Sequence, residues 1–313
     1  MNRRPEVVIQ FLISCALLSF LIFFVRIDRI KTVFSRCNEQ FLLLAIALLP
    51  FVFWIRAYRW ALIINRGERH FPIRHLFSLI LTGVALNFVI PGSLGEVGRF
   101  YFGARAFGHR EEMISSSITD KLYGLFSIFL LGGGISFFFY LPDYGVFSLG
   151  LAFILGVLLV TPNLFPWGTV GQISEWLFKQ KLDSARMIQN YTLSFKRKLM
   201  VILISLLSWL GTCFLFFLVC ISFQSKAPFL YLLAVTPLII LARLFPLTLN
   251  GFGSQEAVMI YLFHRIGISG EVALLASLAL QLILTVIPAI VGICLISLFR
   301  SQTTVKEIVA EKT

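Results

Sequence analysis

Charge is scarce in this chain, and acid is scarcer than base. Only 13% of the 313 residues are charged, 15 of them Asp or Glu against 27 Lys or Arg. Soluble domains carry roughly 25%, so this sequence cannot cover an ordinary water-facing surface. Catalytic signatures are missing as well. His70, His75, His109 and His264 are scattered without an HExxH pattern, and no GxSxG or P-loop sequence occurs. Cys15, Cys37, Cys213, Cys220 and Cys294 show no CxxC or Cys/His ligand spacing. The sequence therefore predicts no structural disulfide, no metal site and no cofactor. The net charge is +12, yet no long soluble basic region accompanies it. That argues against nucleic acid as a partner and for membrane topology and attraction to anionic lipid.

What the chain has instead is apolar length. It is 58% hydrophobic with 33 Phe and a mean hydropathy of +0.90, the composition of an all-α polytopic integral membrane protein. Apolar runs fall at about 7–25, 41–64, 76–102, 118–140, 146–163, 200–223, 228–263 and 272–298. One membrane crossing needs roughly 20 residues. Arg3 and Arg4 precede the first run, which is long for a signal peptide and lacks a small-residue cleavage site, so it reads as an uncleaved first helix. The whole of 1–313 reads as a single membrane domain without a soluble module.

Two runs are interrupted at their centres. The first carries Asn87, then Pro91-Gly92-Ser93-Leu94-Gly95-Glu96 and Arg99. The second carries Arg243, Pro246, Asn250-Gly251-Phe252-Gly253 and Glu256. A broken helix frees backbone groups that lipid cannot satisfy, so it persists only where protein buries it or water reaches it. Paired breaks point to a transport site. We read 76–102 and about 228–265 as re-entrant helical hairpins, the second turning near Leu249–Gly253, beside about six full spans.

Basic residues orient the chain. Arg66, Arg69 and Arg74, then Arg105, Arg110 and Lys121, then Lys179 to Lys198, and finally Arg300, Lys306 and Lys312 mark cytoplasmic segments. This predicts an inner (plasma) membrane protein with both termini cytoplasmic. The two hairpins then enter from opposite faces, in the manner of an inverted repeat. Arg26, Arg29, Lys31 and Arg36 run against this arrangement, which places the 26–40 loop outside. The loop at about 164–199 carries an apolar stripe of Ile173, Leu177, Met187, Tyr191 and Phe195. It reads either as a cytoplasmic amphipathic helix or as a solvated loop.

Several polar residues have two readings. Ser93-x-x-Glu96 fits a capping box, and Asn250 or Ser254 fits a cap before Glu256. Equally, Glu96 and Glu256 are carboxylates inside apolar sequence, where charge defaults to function. Gly251 and Gly253 permit backbone geometry closed to other residues. Arg56 and Arg59 share one helix face. They read either as interfacial residues beside Trp54, Tyr58 and Trp60, or as a guanidinium pair for lipid phosphate. Asp120 and Lys121 read as an ion pair at the cytoplasmic interface. Gly132-Gly133-Gly134 reads as a helix-packing or kinking element.

Together, Arg56-Ala57-Tyr58-Arg59-Trp60, the Asn87 to Arg99 motif and the Pro246 to Glu256 motif resemble the membrane region of lysylphosphatidylglycerol synthases, a flippase-like family. The resemblance covers nearly the whole chain. It implies movement of lipids between leaflets, with related proteins serving glycolipid assembly. The synthases continue into a cytoplasmic aminoacyl-transfer domain. This chain ends at Thr313 without one, so the expectation is a carrier and not an enzyme. Ser93 stands where the pattern has a basic residue, which leaves headgroup preference open.

The resulting expectation is a lipid or glycolipid translocase. Arg56, Arg59, Arg99 and Arg243 attract phosphate, Glu96 and Glu256 balance them or engage a cationic headgroup, and Asn87 and Asn250 donate hydrogen bonds. Pro91, Gly92, Ser93, Gly95, Gly251 and Gly253 shape the breaks. The partners implied are membrane lipids, an anionic phospholipid or lipid-linked glycan, with a separate lipid or glycan synthase and self-association as further candidates. Two alternatives remain: a membrane-embedded enzyme with Glu96 and Glu256 as acid and base, or a non-transporting partner of such a synthase.

Overall fold

The computed structural model describes residues 4–24, 27–65, 70–89, 95–178, 183–244 and 248–295. Among them there are helices and turns and no strands. The chain opens with α1 (Arg4–Phe24), α2 (Ile27–Ser35) and α3 (Glu39–Ile64). The segment expected as an outer loop therefore contains a nine-residue helix. Asn38 starts α3 by accepting the Gln40 N–H on its side chain, which satisfies one of the donors a helix start leaves open.

The first interrupted run is two helices, α4 (Ile73–Val89) and α5 (Gly95–Phe107), packed on each other. Pro91, Gly92 and Ser93, expected at the turn, lie outside the described residues. Tight packing at Gly95 explains the missing side chain: a Cβ there would collide with the Asn87 backbone. Next come α6 (Arg110–Ile135), extended by a π-helical turn to Tyr140, and α7 (Pro142–Val160), whose proline sits in the first turn where no N–H is needed. The glycine run is a packing element. A Cβ on Gly132 would lie 2.6 Å from the Leu233 carbonyl oxygen, and one on Gly133 would lie 2.9 Å from Ser148.

The long polar connection contains α8 (Trp167–Phe178) and α9 (Ser184–Tyr191). It is thus two short helices and not one. Met187 and Tyr191 are buried, and the Tyr191 hydroxyl donates to the Leu158 carbonyl at 2.8 Å. The expected stripe stops there, because Phe195 begins the next helix and is exposed. The side chains of Ile173 and Leu177 lie outside the described residues.

The second half comprises α10 (Phe195–Ser222), α11 (Phe229–Leu244), α12 (Ser254–His264) and α13 (Gly270–Gln281), the last continuing through a π-helical turn at Leu282–Val286 to Leu295. Pro246 lies outside the described residues. Among the described residues, five helices are long and apolar enough to cross a membrane: Glu39–Ile64, Arg110–Tyr140, Pro142–Val160, Phe195–Ser222 and Gly270–Leu295. The hairpin helices are shorter, 17 and 13 residues in the first pair and 16 and 11 in the second. Helix α6 holds the assembly together, packing against α3, α5, α7, α9, α10 and α11.

Candidate functional site

The long reach of α6 sets the site. The helix begins at Arg110, so Asp120 lies about 15 Å along it and well inside the bundle. Asp120 is buried. It does not pair with Lys121, as adjacent sequence positions had suggested. Its Oδ1 accepts the Arg59 Nε–H at 2.7 Å and its Oδ2 accepts an Arg99 Nη2–H at 3.1 Å. Side chains at consecutive positions on a helix diverge by about 100°, whereas packed neighbours bring distant residues together. One carboxylate therefore ties α3, α5 and α6 to one another.

Arg99 also lies over the Trp60 ring, 3.6 Å from its centroid, and the Trp60 indole N–H donates to Ser116 at 3.1 Å. Arg59 reaches Ser205 at 3.4 Å. Neither Arg59 nor Trp60 is an interfacial belt residue, because both are buried among helices. Gly124 supports the cluster: a Cβ there would crowd the Arg59 guanidinium at 3.1 Å, while its carbonyl accepts the Trp209 indole N–H at 2.7 Å.

A cavity of about 250 Å³ opens beside this cluster. Arg56, Lys121 and Arg243 reach its wall from α3, α6 and α11. Asn87 and Asn250, one from each interrupted run, face the same space. A second cavity of about 220 Å³ is lined by Arg59, Arg99 and Asp120 and shares Arg56, Lys121 and Trp209 with the first. Arg56 donates to Thr212 at 3.0 Å and lies 5.8 Å from the Trp209 ring centroid. Arg243 donates to Thr285 at 3.0 Å. Among the described residues no carboxylate forms an ion pair with Lys121 or Arg243.

The breaks are shaped by glycine and by hydrogen bonds. The Gly95 N–H donates to Asn87 Oδ1 at 2.7 Å, so a side chain of α4 holds the start of α5. In the second, Asn250 has φ 51, Gly251 φ 84 and Gly253 φ 93, the left-handed region that Gly and, less readily, Asn adopt. A Cβ on Gly251 would lie 2.8 Å from Arg243, so the bare backbone makes room for that guanidinium. Neither Asn250 nor Ser254 caps α12; Gly253 occupies the cap position. Ser254 instead donates to the Ala242 carbonyl at 3.0 Å.

Glu256 is fully buried. One of its oxygens accepts the Gly253 N–H at 2.6 Å and the other accepts the Ser277 hydroxyl at 2.9 Å. It thus caps its own helix and is absent from the cavity wall, where its neighbour Gln255 stands. Glu96 belongs to α5, and its side chain lies outside the described residues.

Arg56, Asn87, Arg243 and Asn250 are thus gathered round one cavity, with Arg59 and Arg99 in the adjoining one. The residues that motif reading passed over are Asp120 and Lys121 as separate actors, together with Trp209, Thr212 and Thr285. A signal for two of these was present. Ser205, Ser208 and Thr212 recur at helical spacing in one apolar run, and Ser277, Gln281 and Thr285 do so in another. Polar stripes on spans face the bundle interior.

A family model described as the lysylphosphatidylglycerol synthase TM region matches residues 7–292. The chain belongs to this family. Its members' membrane region thus accounts for α1 through nearly all of the last helix. The chain is also similar to the UPF0104 membrane protein MJ1595 of Methanocaldococcus jannaschii, with 23% identity and 91% of each chain covered.

Proposed function

We propose that this member of the lysylphosphatidylglycerol synthase TM-region family is a lipid or glycolipid translocase, a carrier and not an enzyme. It passes a phosphate-bearing headgroup through the space between its two interrupted helices. One observation carries this reading: Asn87 and Asn250 from the two breaks, and Lys121 and Arg243, neither ion-paired to a carboxylate among the described residues, face one cavity inside an apolar bundle. A charge held in a membrane interior costs at least about 2.5–3.5 kcal/mol unless it is compensated. A headgroup phosphate supplies that compensation, and arginine presents a fork matched to it. Pockets for whole drug-sized ligands run to about 300–1,000 Å³, so a space of about 250 Å³ suits a headgroup while the tails stay in lipid.

Helix length supports hairpins that do not cross. Each helix of the two pairs falls short of the roughly 20 residues a span requires. With both termini cytoplasmic in the inner membrane, the pairs enter from opposite faces, and rocking of one against the other alternates access.

Purified protein in vesicles carrying a labelled anionic phospholipid tests this reading. The expected result is unchanged lipid in the opposite leaflet, with the rate reduced at least about tenfold by Arg243→Gln, which removes a charge-assisted phosphate contact. No transfer above empty vesicles, or conversion of the label to a new species, overturns it.

A further inference from the structure

We infer that the headgroup this cavity accepts carries at least two negative charges, as a terminal phosphomonoester or a diphosphate does, and not the single charge of a phosphodiester. The inference deepens the translocase reading and rests on it. Lys121 comes from α6 and Arg243 from α11, and both line the same cavity of about 250 Å³. Neither has a carboxylate ion-pair partner among the described residues. Asp120, next to Lys121 in sequence, has both its oxygens occupied by Arg59 and Arg99. Two like charges confined to one small, largely apolar space repel, and salt screens buried charges weakly. Arg56 adds a third positive charge to the wall, and Glu256 offsets part of that on Arg243. A ligand with one negative charge therefore leaves positive charge in the cavity, and a ligand with two compensates it more fully.

The remaining wall fits such a group. Thr212 and Thr285 anchor Arg56 and Arg243 in place, which fixes the guanidinium positions before the ligand arrives. Asn87 and Asn250 add polar contact from the breaks. The charged groups facing the cavity are Arg56, Lys121 and Arg243, with Arg59, Arg99 and Asp120 in the adjoining space. Glu256 acts on Arg243 electrostatically from within the fold. No histidine is among the described lining residues of either cavity.

The ligand's own titration provides the test. A phosphomonoester has a second pKa of about 6, and a phosphodiester has none in that range. Short-chain phosphatidic acid and phosphatidylglycerol with the same acyl chains are titrated into the detergent-solubilised full-length protein at pH 8 and pH 5. Intrinsic tryptophan fluorescence reports binding, because Trp209 stands on the cavity wall. Phosphatidic acid should bind about tenfold more tightly than phosphatidylglycerol at pH 8, and the ratio should fall to about twofold or less at pH 5. Phosphatidylglycerol affinity should change little, which controls for titration of the protein itself. Lys121→Gln and Arg243→Gln should each collapse the ratio at pH 8. Inorganic phosphate at equal concentration should not displace phosphatidic acid; if it does, the ligand is a soluble phosphate and the lipid assignment is wrong. Equal affinities for both lipids at both pH values overturn the two-charge inference and leave the translocase reading standing. Binding of neither lipid overturns both.

Discussion

Asp120 shows how much one side chain can organise. Its carboxylate accepts from two buried arginines at once, Arg99 lying over Trp60 and Arg59 reaching Ser205. Removing one partner from a buried ion pair costs about 3–5 kcal/mol, because the remaining charge stays in a poor solvent. Asp120→Asn should therefore lower thermal stability in detergent by that order, and Arg59→Met in the same background should recover part of it. A neutral outcome for Asp120→Asn would mean that water reaches the cluster. Glu256 belongs to the same scale. From sequence, Glu256→Gln removes charge from a transport centre. In the fold both carboxylate oxygens already hold protein donors. An amide offers only one acceptor oxygen, so one donor loses its partner at about 1–3 kcal/mol. Glu256→Gln should reduce folded yield together with transport, measured by size-exclusion chromatography on the same preparation.

At the scale of elements, the helix breaks were legible because proline and glycine act locally. Gly95, Gly251 and Gly253 mark helix ends in the structure as they did in the sequence. The reasons differ among them. Gly95 is needed for close approach to Asn87, whereas Gly253 combines a φ of 93 with Leu17 packed 2.9 Å from where a Cβ would stand. Val at either position should abolish folded yield. Gly134→Ala is the matched control: nothing lies within 4 Å of its Cβ position, and alanine favours a helix by about 1 kcal/mol over glycine. Retention of folded protein by both Val variants would show that the two hairpins tolerate separation. The polar segment before α10 was less legible, because a stripe interrupted by charge does not say where one helix stops. The burial of Met187 and Tyr191 against α6, α7 and the 162–164 turn decides that.

For the whole molecule, the order of long helices makes a topological statement. Among the described residues between Gly108 and Lys226 lie three helices long and apolar enough to cross a membrane, Arg110–Tyr140, Pro142–Val160 and Phe195–Ser222, while α8 and α9 have 12 and 8 residues. If each of the three crosses, an odd number of crossings separates the two positions. Single cysteines at Gly108 and Lys226, in a background with the five native cysteines replaced, should react with an impermeant thiol reagent from opposite sides. Reaction from one side would remove the opposed-hairpin arrangement and with it the symmetric access route.

Membrane class, the approximate helix ends and the two breaks were set by sequence alone, because hydropathy and backbone restriction are summed over neighbours in the chain. Which charges are spent and which remain available was decided only by tertiary structure. Arg59 and Arg99 share Asp120 across 61 and 21 positions, while Lys121, one residue away, turns to a cavity with Arg243. Charge pairing depends on how each helix is rotated against its neighbours, and that rotation is fixed by packing across the bundle.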